Sequence, residues 1–196
     1  MKGLKYYLLF GFILIVASCE RDDICAEDIP TTPRLLIEFF DAADPETLKS
    51  VTRLSVYAEA LITDENGNVT LPEQANNATL LFNSNSNNIA LPLIVGNEGE
   101  ETTTRYFFEL DTNLRTEDDD PLTNSNIDIL DITYTPDFIY VSRACGFKSI
   151  FTALNVTPNT DGDDADEWII STTLANTTDL QITVENEDAT HVQIFH

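Results

Sequence analysis

Hydrophobic residues along this chain recur mostly at every second position. In residues 54–62, Leu54, Val56, Ala58, Ala60 and Ile62 share one parity and Ser55, Tyr57, Glu59 and Leu61 the other, the spacing of a sheet face. Residues 103–110 repeat the pattern, with Tyr106, Phe108 and Leu110 together. It is cleanest near the end, in Leu180, Ile182 and Val184 and then, across a polar turn, in Val192 and Ile194. Residues 35–40 are a short, mostly apolar run between Pro33 and Asp41, which predicts a buried strand. Residues 89–95 are apolar around Pro92, which predicts an edge strand or a bulge, because proline has no N–H to give to a ladder. Residues 127–134 change register between Ile129 and Leu130, which predicts a β-bulge. Residues 138–144, 147–154 and 167–174 read as further strands. The stretch 64–68 carries an Asn66-Gly67 turn signal with a strand expected on each side. Residues 83–88, alternating Asn and Ser, read as a polar loop, and residues 117–121 as an acidic one.

Roughly nine or ten short strands at near-regular spacing, joined by polar turns, predict an all-β fold. The expected form is a single antiparallel, immunoglobulin-like β-sandwich, with a small barrel as the alternative. No long amphipathic helix is present, and no segment repeats with the period of a solenoid or propeller.

The first residues follow a different rule. Lys2 and Lys5 precede an apolar run over residues 6–17, and no acid occurs before Glu20. That is the pattern of a cleavable signal peptide, and the run is shorter than the ~20 residues of a spanning helix. It ends in Val16-Ala17-Ser18-Cys19, which looks like the lipobox of bacterial lipoproteins. Small residues let the extended backbone enter a peptidase site, and the Cys19 thiol takes the diacylglycerol group. Several acyl chains then make attachment effectively permanent, at ~0.8 kcal/mol per buried CH₂. Glu20, Arg21, Asp22 and Asp23 follow, a basic-then-acidic run with two readings: the surface-export signal of Bacteroidota lipoproteins, or a solvated tether with the protein facing the periplasm. The expected organisation is a signal peptide at 1–18, a lipidated tether at 19–32 and a β-sandwich domain at 33–196.

Charge and cysteines sharpen this picture. The chain carries 34 acids against 10 bases, a formal charge of −24, and losing Lys2 and Lys5 with the leader makes the mature chain −26 (8 − 34). Such a field repels nucleic acid and anionic head groups, so no nucleic-acid partner is expected and membrane contact falls to the lipid. The acidity is read as a solubilising surface. With Cys19 lipidated, Cys25 and Cys145 remain, and an even pair in an oxidising compartment predicts a disulfide. Across so long a loop it is worth roughly 4–5 kcal/mol in the chain-entropy model, and it would staple the tether to the far half of the domain.

Candidate chemistry is thin. The histidines are His191 and His196, read as edge or surface residues, and zinc would need carboxylates beside them. There is no Gly-x-Ser-x-Gly elbow and no Ser-x-x-Lys motif, so no catalytic residue is assigned and the chain is not expected to be an enzyme; a hydrolase using His191 is the remote alternative. Calcium candidates are Asp161, Asp163, Asp164 and Asp166, but glycine occupies the second position and Thr172 the twelfth, so the spacing is not that of an EF-hand and a solvated loop is the expected reading. The acids of residues 117–120 bring charge without ligand geometry. No cofactor is expected beyond the covalent lipid. Tyr57, Tyr106, Tyr134, Tyr140 and Trp168 would suit a sugar platform on an exposed sheet face, yet strand spacing favours a place in the core or at its rim. Arg143 and Lys148 flank Cys145 and are expected to pair with carboxylates, the alternative being an anion site.

Two segments, Asp23-Ile24-Cys25-Ala26-Glu27 through Thr32-Pro33-Arg34-Leu35 with Glu38-Phe39-Phe40-Asp41, and the run Tyr140-Val141-Ser142-Arg143-Ala144-Cys145-Gly146-Phe147-Lys148, resemble a family of uncharacterised Bacteroidota (flavobacterial) lipoproteins that forms a domain of unknown function. The likeness runs over most of the mature chain, leaving out the acidic stretch around Asp161. It implies a lipidated cysteine, two further cysteines in these contexts and a β-rich domain; it implies no activity, substrate or cofactor. The functional expectation is a lipoprotein of the outer membrane, at the cell surface or on the periplasmic face. It would act as a non-catalytic interaction module of the envelope, held to the membrane by lipid, with an unknown protein or glycan partner. The alternative is a glycan-binding accessory protein of a surface uptake system.

Overall fold

The computed structural model describes Cys25 and residues 32–117, 124–159, 166–175 and 177–196. Eleven strands and two short helices occur among the described residues. In chain order they are β1 (Leu35–Asp41), β2 (Asp44–Leu48), β3 (Val51–Ala58), α1 (Glu59–Ile62), β4 (Thr79–Ser86), β5 (Asn88–Leu91), β6 (Thr102–Leu110), α2 (Thr112–Glu117), β7 (Asn126–Ser142), β8 (Gly146–Asn159), β9 (Ser171–Leu174), β10 (Ile182–Val184) and β11 (Val192–Phe195).

They form two sheets. The larger runs β10-β8-β7-β6-β3-β4, and every neighbouring pair in it is antiparallel. The smaller runs β2-β1-β11-β9, with β5 also on β1. β5 pairs with the first half of β1 and β2 with its end, so both share one edge of that strand. The other edge of β1 takes β11 in parallel, from Ile37 opposite Val192 to Phe40 opposite Phe195. That pair is the exception to the expected antiparallel pattern. Neither sheet closes into a barrel, and the two inner faces share one core, as in a β-sandwich.

The core follows from period-two burial. Leu35, Ile37 and Phe39 of β1 and Val192 and Ile194 of β11 meet Val56, Tyr106, Phe108, Leu130, Ile132, Phe151 and Leu154 of the larger sheet. Phe39 stands edge-on to Phe108, with ring centroids 6.3 Å apart, and lies 6.5 Å from Trp168.

Several elements depart from the pattern in the sequence. The run 54–62 is strand only to Ala58, where pairing with β6 ends at Tyr106; the good helix formers Glu59, Ala60 and Leu61 then wind one turn that buries Ile62. The Asn66-Gly67 turn is closed by a single bridge, Thr63 to Val69, and not by two strands. Asp64 does the local work, its carboxylate accepting the N–H groups of Asn66 and Asn68 while Gly67 takes a φ of 84°. The polar run 83–88 is no loop: it supplies the end of β4 and the start of β5. β4 is an edge strand whose register against β3 slips three times, so it needs few apolar residues; Asn83, at φ 45°, donates its N–H to Ser55 Oγ. β2 is exposed throughout and has no apolar pattern to betray it. Residues 167–170 are not strand; Trp168 and Ile169 plug the core from a loop, held by Trp168 Nε1 donating to the Phe108 carbonyl and by the Ile169 N–H on Asp128.

The register change expected at Ile129 and Leu130 lies further on. Both residues pair regularly, and the shift falls between Thr133 and Thr135, where β8 supplies an extra residue and Ala153 adopts a φ of 51°. The two alternating runs either side of the polar turn separate: Leu180 is exposed ahead of β10, and β10 and β11 lie in different sheets.

Both histidines bracket β11. His191 donates its N–H to the Leu36 carbonyl at 3.0 Å and its ring Nδ1 accepts the Leu36 N–H at 2.9 Å. His196 donates its N–H to the Phe40 carbonyl, and its ring packs edge-on against Trp168 and Phe39. Burial holds both imidazoles below the ordinary histidine value, against the opposing pull of backbone hydrogen bonds to Asn186 and Lys49. In the unfolded chain histidine binds its proton near pH ~6.5, before the folded protein does, so stability is lost as pH falls below that value. The urea midpoint is expected to drop between about pH 7 and about pH 5, above the range where carboxylates titrate, and His191→Gln to flatten that slope. Phe39→Ala is expected to cost about 3–5 kcal/mol in the same measurement, because its cavity opens between the sheets.

Candidate functional site

The longest strands, β7 and β8, make a hairpin that outruns its sheet. β6 leaves β7 at Tyr134, opposite Thr102, while β7 and β8 continue to pair from Thr135 opposite Thr152 to Ser142 opposite Gly146. At the tip the Cys145 N–H is received by Ser142 Oγ at 3.0 Å, and Gly146 takes a φ of 70° that a side chain would resist. Cys145 is joined by a disulfide to Cys25, with Cα atoms 4.8 Å apart. A two-stranded arm is marginal alone. Here the staple ties it to the chain ahead of β1.

Tyr140 and Phe147 face each other directly across the arm, with ring centroids 5.5 Å apart in an edge-on pair. They are 58% and 63% exposed. The other rings considered for a sugar platform, Tyr57, Tyr106, Tyr134 and Trp168, are buried. Tyr134 donates to the Ile94 carbonyl at 2.8 Å and Tyr106 to that of Pro92, and burial raises the pKa of both phenols, keeping them protonated. The expected carboxylate partners of Arg143 and Lys148 are not found among the described residues. Lys148 Nζ donates instead to the Glu185 carbonyl at 2.8 Å, and the described ion pairs include neither residue. The sequence around them has no Asp or Glu from 138 to 160.

Cys19, Glu20, Arg21, Asp22 and Asp23 lie outside the described residues, as do Asp161, Asp163 and Asp164. Of the calcium candidates only Asp166 is described; its carbonyl accepts from Asn126 Nδ2. No group of three or more His, Cys, Asp or Glu side chains is placed to hold a metal among the described residues. His191, the residue a hydrolase would need, spends its Nδ1 on Leu36.

One cluster had no clear sequence signal. Glu109 is fully buried on the outer face of the larger sheet, beneath α2. Its carboxylate accepts from Arg115 Nε at 2.6 Å, from Tyr57 Oη at 2.7 Å and from Ser125. Arg115 also donates to the Pro72 carbonyl at 2.8 Å. Burial pushes the Tyr57 phenol up to about 12, and hydrogen bonding to Glu109 raises Arg115. Each donor is spent inside the cluster, so it pins α2 and the 72 region to the sheet. The six-residue spacing of Glu109 and Arg115 across a turn was the available clue.

A second feature is a cleft of about 260 Å³ between α1, β6 and residues 92–94, lined by Leu61, Leu93, Ile94 and Tyr106 among others. Arg105 borders it, but its guanidinium is engaged by Asp131 at 2.6 and 3.0 Å and by Glu59 at 3.3 Å.

Removing Arg115 strands a buried carboxylate, so Arg115→Ala is expected to cost about 3–5 kcal/mol of stability in urea. Adding Glu109→Gln should recover part of that loss, whereas two independent positions would give additive costs.

The chain was compared with known families, proteins and structures. No curated protein and no solved structure matched it. A model for a family of unknown function, DUF6452, matches residues 55–196. The span takes in the Tyr140–Lys148 hairpin tip and the acidic stretch around Asp161, and begins after the first strand. The chain belongs to this family of unknown function, DUF6452.

Proposed function

We propose that the protein is a bacterial lipoprotein of the outer membrane, anchored through diacylglycerol on Cys19 and serving as a non-catalytic interaction module of the cell envelope. One observation carries the reading. Of three cysteines, Cys25 and Cys145 pair with each other, leaving Cys19 as the odd thiol at the end of a leader whose last residues fit a lipobox. The disulfide itself suits an exported, oxidising compartment. Glu20, Arg21, Asp22 and Asp23 support display at the outer surface, and the formal charge of −24 argues against nucleic acid as a partner. A non-catalytic role is supported by the engagement of both histidines in the seam along β11 and of the buried acid Glu109 with Arg115. Glycan binding, the second reading, would rest on Tyr140 and Phe147 alone of the rings described above.

Intact-mass analysis of the membrane-extracted protein tests the anchor. The expected mass is that of a chain starting at Cys19 plus a diacylglyceryl group, and Cys19→Ser should release the protein from the membrane. A mature chain with an unmodified Cys19 would sink the proposal.

A further inference from the structure

We propose that the tip of the β7–β8 hairpin is a second, non-covalent membrane contact, with Tyr140 and Phe147 entering the headgroup region of a phospholipid bilayer and Arg143 and Lys148 lying against its phosphates. The inference rests on the lipid-anchor reading for Cys19. Three independent features of this arm converge on it.

The first is position. Cys25 follows Cys19 by six residues (25 − 19), a span of at most about 22 Å at ~3.3–3.6 Å per extended residue. The disulfide then brings Cys145 to within 4.8 Å of Cys25, Cα to Cα. A bilayer holding Cys19 therefore has the arm within a short reach, and no other described element is tied so closely to it.

The second is side-chain chemistry. Two aromatic rings, 58% and 63% exposed, stand side by side at the end of an arm that projects past its neighbouring strand. Exposed aromatics of this kind suit the headgroup level, where a ring is apolar on its faces and Tyr keeps its hydroxyl wet.

The third is charge. The chain averages roughly one acid in six residues (34 of 196), yet residues 138–160 contain none and include Arg143 and Lys148. Asp137 lies at the base of the arm, Glu185 follows β10 beside Lys148, and Glu20, Asp22, Asp23, Glu27 and Asp28 lie in the tether, so the cationic stretch is local to the arm itself. Arg143 is exposed, and Lys148 is held by the Glu185 carbonyl with its charge uncancelled by an ion pair among the described residues. An acidic domain that gathers two cations on one acid-free arm meets an anionic surface with least repulsion through that arm, which orients the tip toward it.

The test uses the mature protein with its disulfide intact and Cys19 coupled chemically to a maleimide phospholipid in vesicles of phosphatidylethanolamine and phosphatidylglycerol. Phe147→Trp reports the tip, Leu180→Trp reports an exposed site at the other end of β10, and the wild type supplies the Trp168 background. Brominated acyl chains are expected to quench the Phe147→Trp indole at least several-fold more than the Leu180→Trp indole, with a blue shift of the former alone. Arg143→Gln with Lys148→Gln should reduce that quenching in the anionic vesicles. Equal quenching at the two sites, or none at the tip, overturns the contact and leaves the arm free for a protein or glycan partner. Because coupling is chemical, this result does not depend on whether cells acylate Cys19, which the intact mass decides separately.

Discussion

The parallel seam between β1 and β11 is the contact on which the smaller sheet depends. On one side of it lie β1, β2 and β5, and on the other β9 and β11; their hydrogen-bonded path runs through this pair. Leu36 and His191 are 155 residues apart, so closing the seam carries a large loop entropy that four paired positions alone do little to offset. The ends supply the rest. His191 grips Leu36 with both backbone and ring, and past β11 the His196 carbonyl receives the Ala42 N–H and the Lys49 ammonium. Inside, Ile37, Phe39, Val192 and Ile194 are buried against the other sheet, so zipping the seam and filling the core are one event.

The larger sheet is organised differently. Its neighbours β6, β7 and β8 follow one another in the chain, β7 and β8 through a tight hairpin and β6 and β7 through a connection that carries α2, and long antiparallel ladders join them. Length creates the arm: β7 and β8 outlast β6, and past Phe151, where β10 pairs with β8, the two strands run on together to exposed Tyr140 and Phe147. The disulfide to Cys25 secures that end. It ties the arm to the chain just ahead of β1, and so couples the free end of the larger sheet to the beginning of the smaller one.

A surface this acidic has to be managed where it is covered. Glu109 sits under α2 only because Arg115, Tyr57 and Ser125 satisfy its oxygens. Arg105 similarly ties Asp131 and Glu59 across β6, β7 and α1, and Arg34 forks onto Glu187 beside the seam. The ten bases are few, and several are spent joining elements that are distant in sequence. Arg143 and Lys148 are exceptions, having no described carboxylate partner.

The sequence by itself determined the fold class, because period-two alternation in residues 103–110 and 192–195 can bury only one face, and many such runs without a helix must stack as sheets. Its lipobox-like run set Cys19 apart, and that reading left Cys25 and Cys145 as the pair that the disulfide joins. Tertiary structure alone decided the rest. Asn83, Ser84 and Ser86 became strand because β3 offered an open edge, and Ile62 became helix because its partner strand ended at Tyr106. The orientation of β11 was equally invisible, since an alternating strand reads the same in either direction and nothing local says which edge it will join. The buried place of Glu109 and the exposed place of Tyr140 and Phe147 followed the same logic. Residue type sets the cost of burial, but which face is covered depends on an element elsewhere in the chain, here α2 over one face and nothing described over the other.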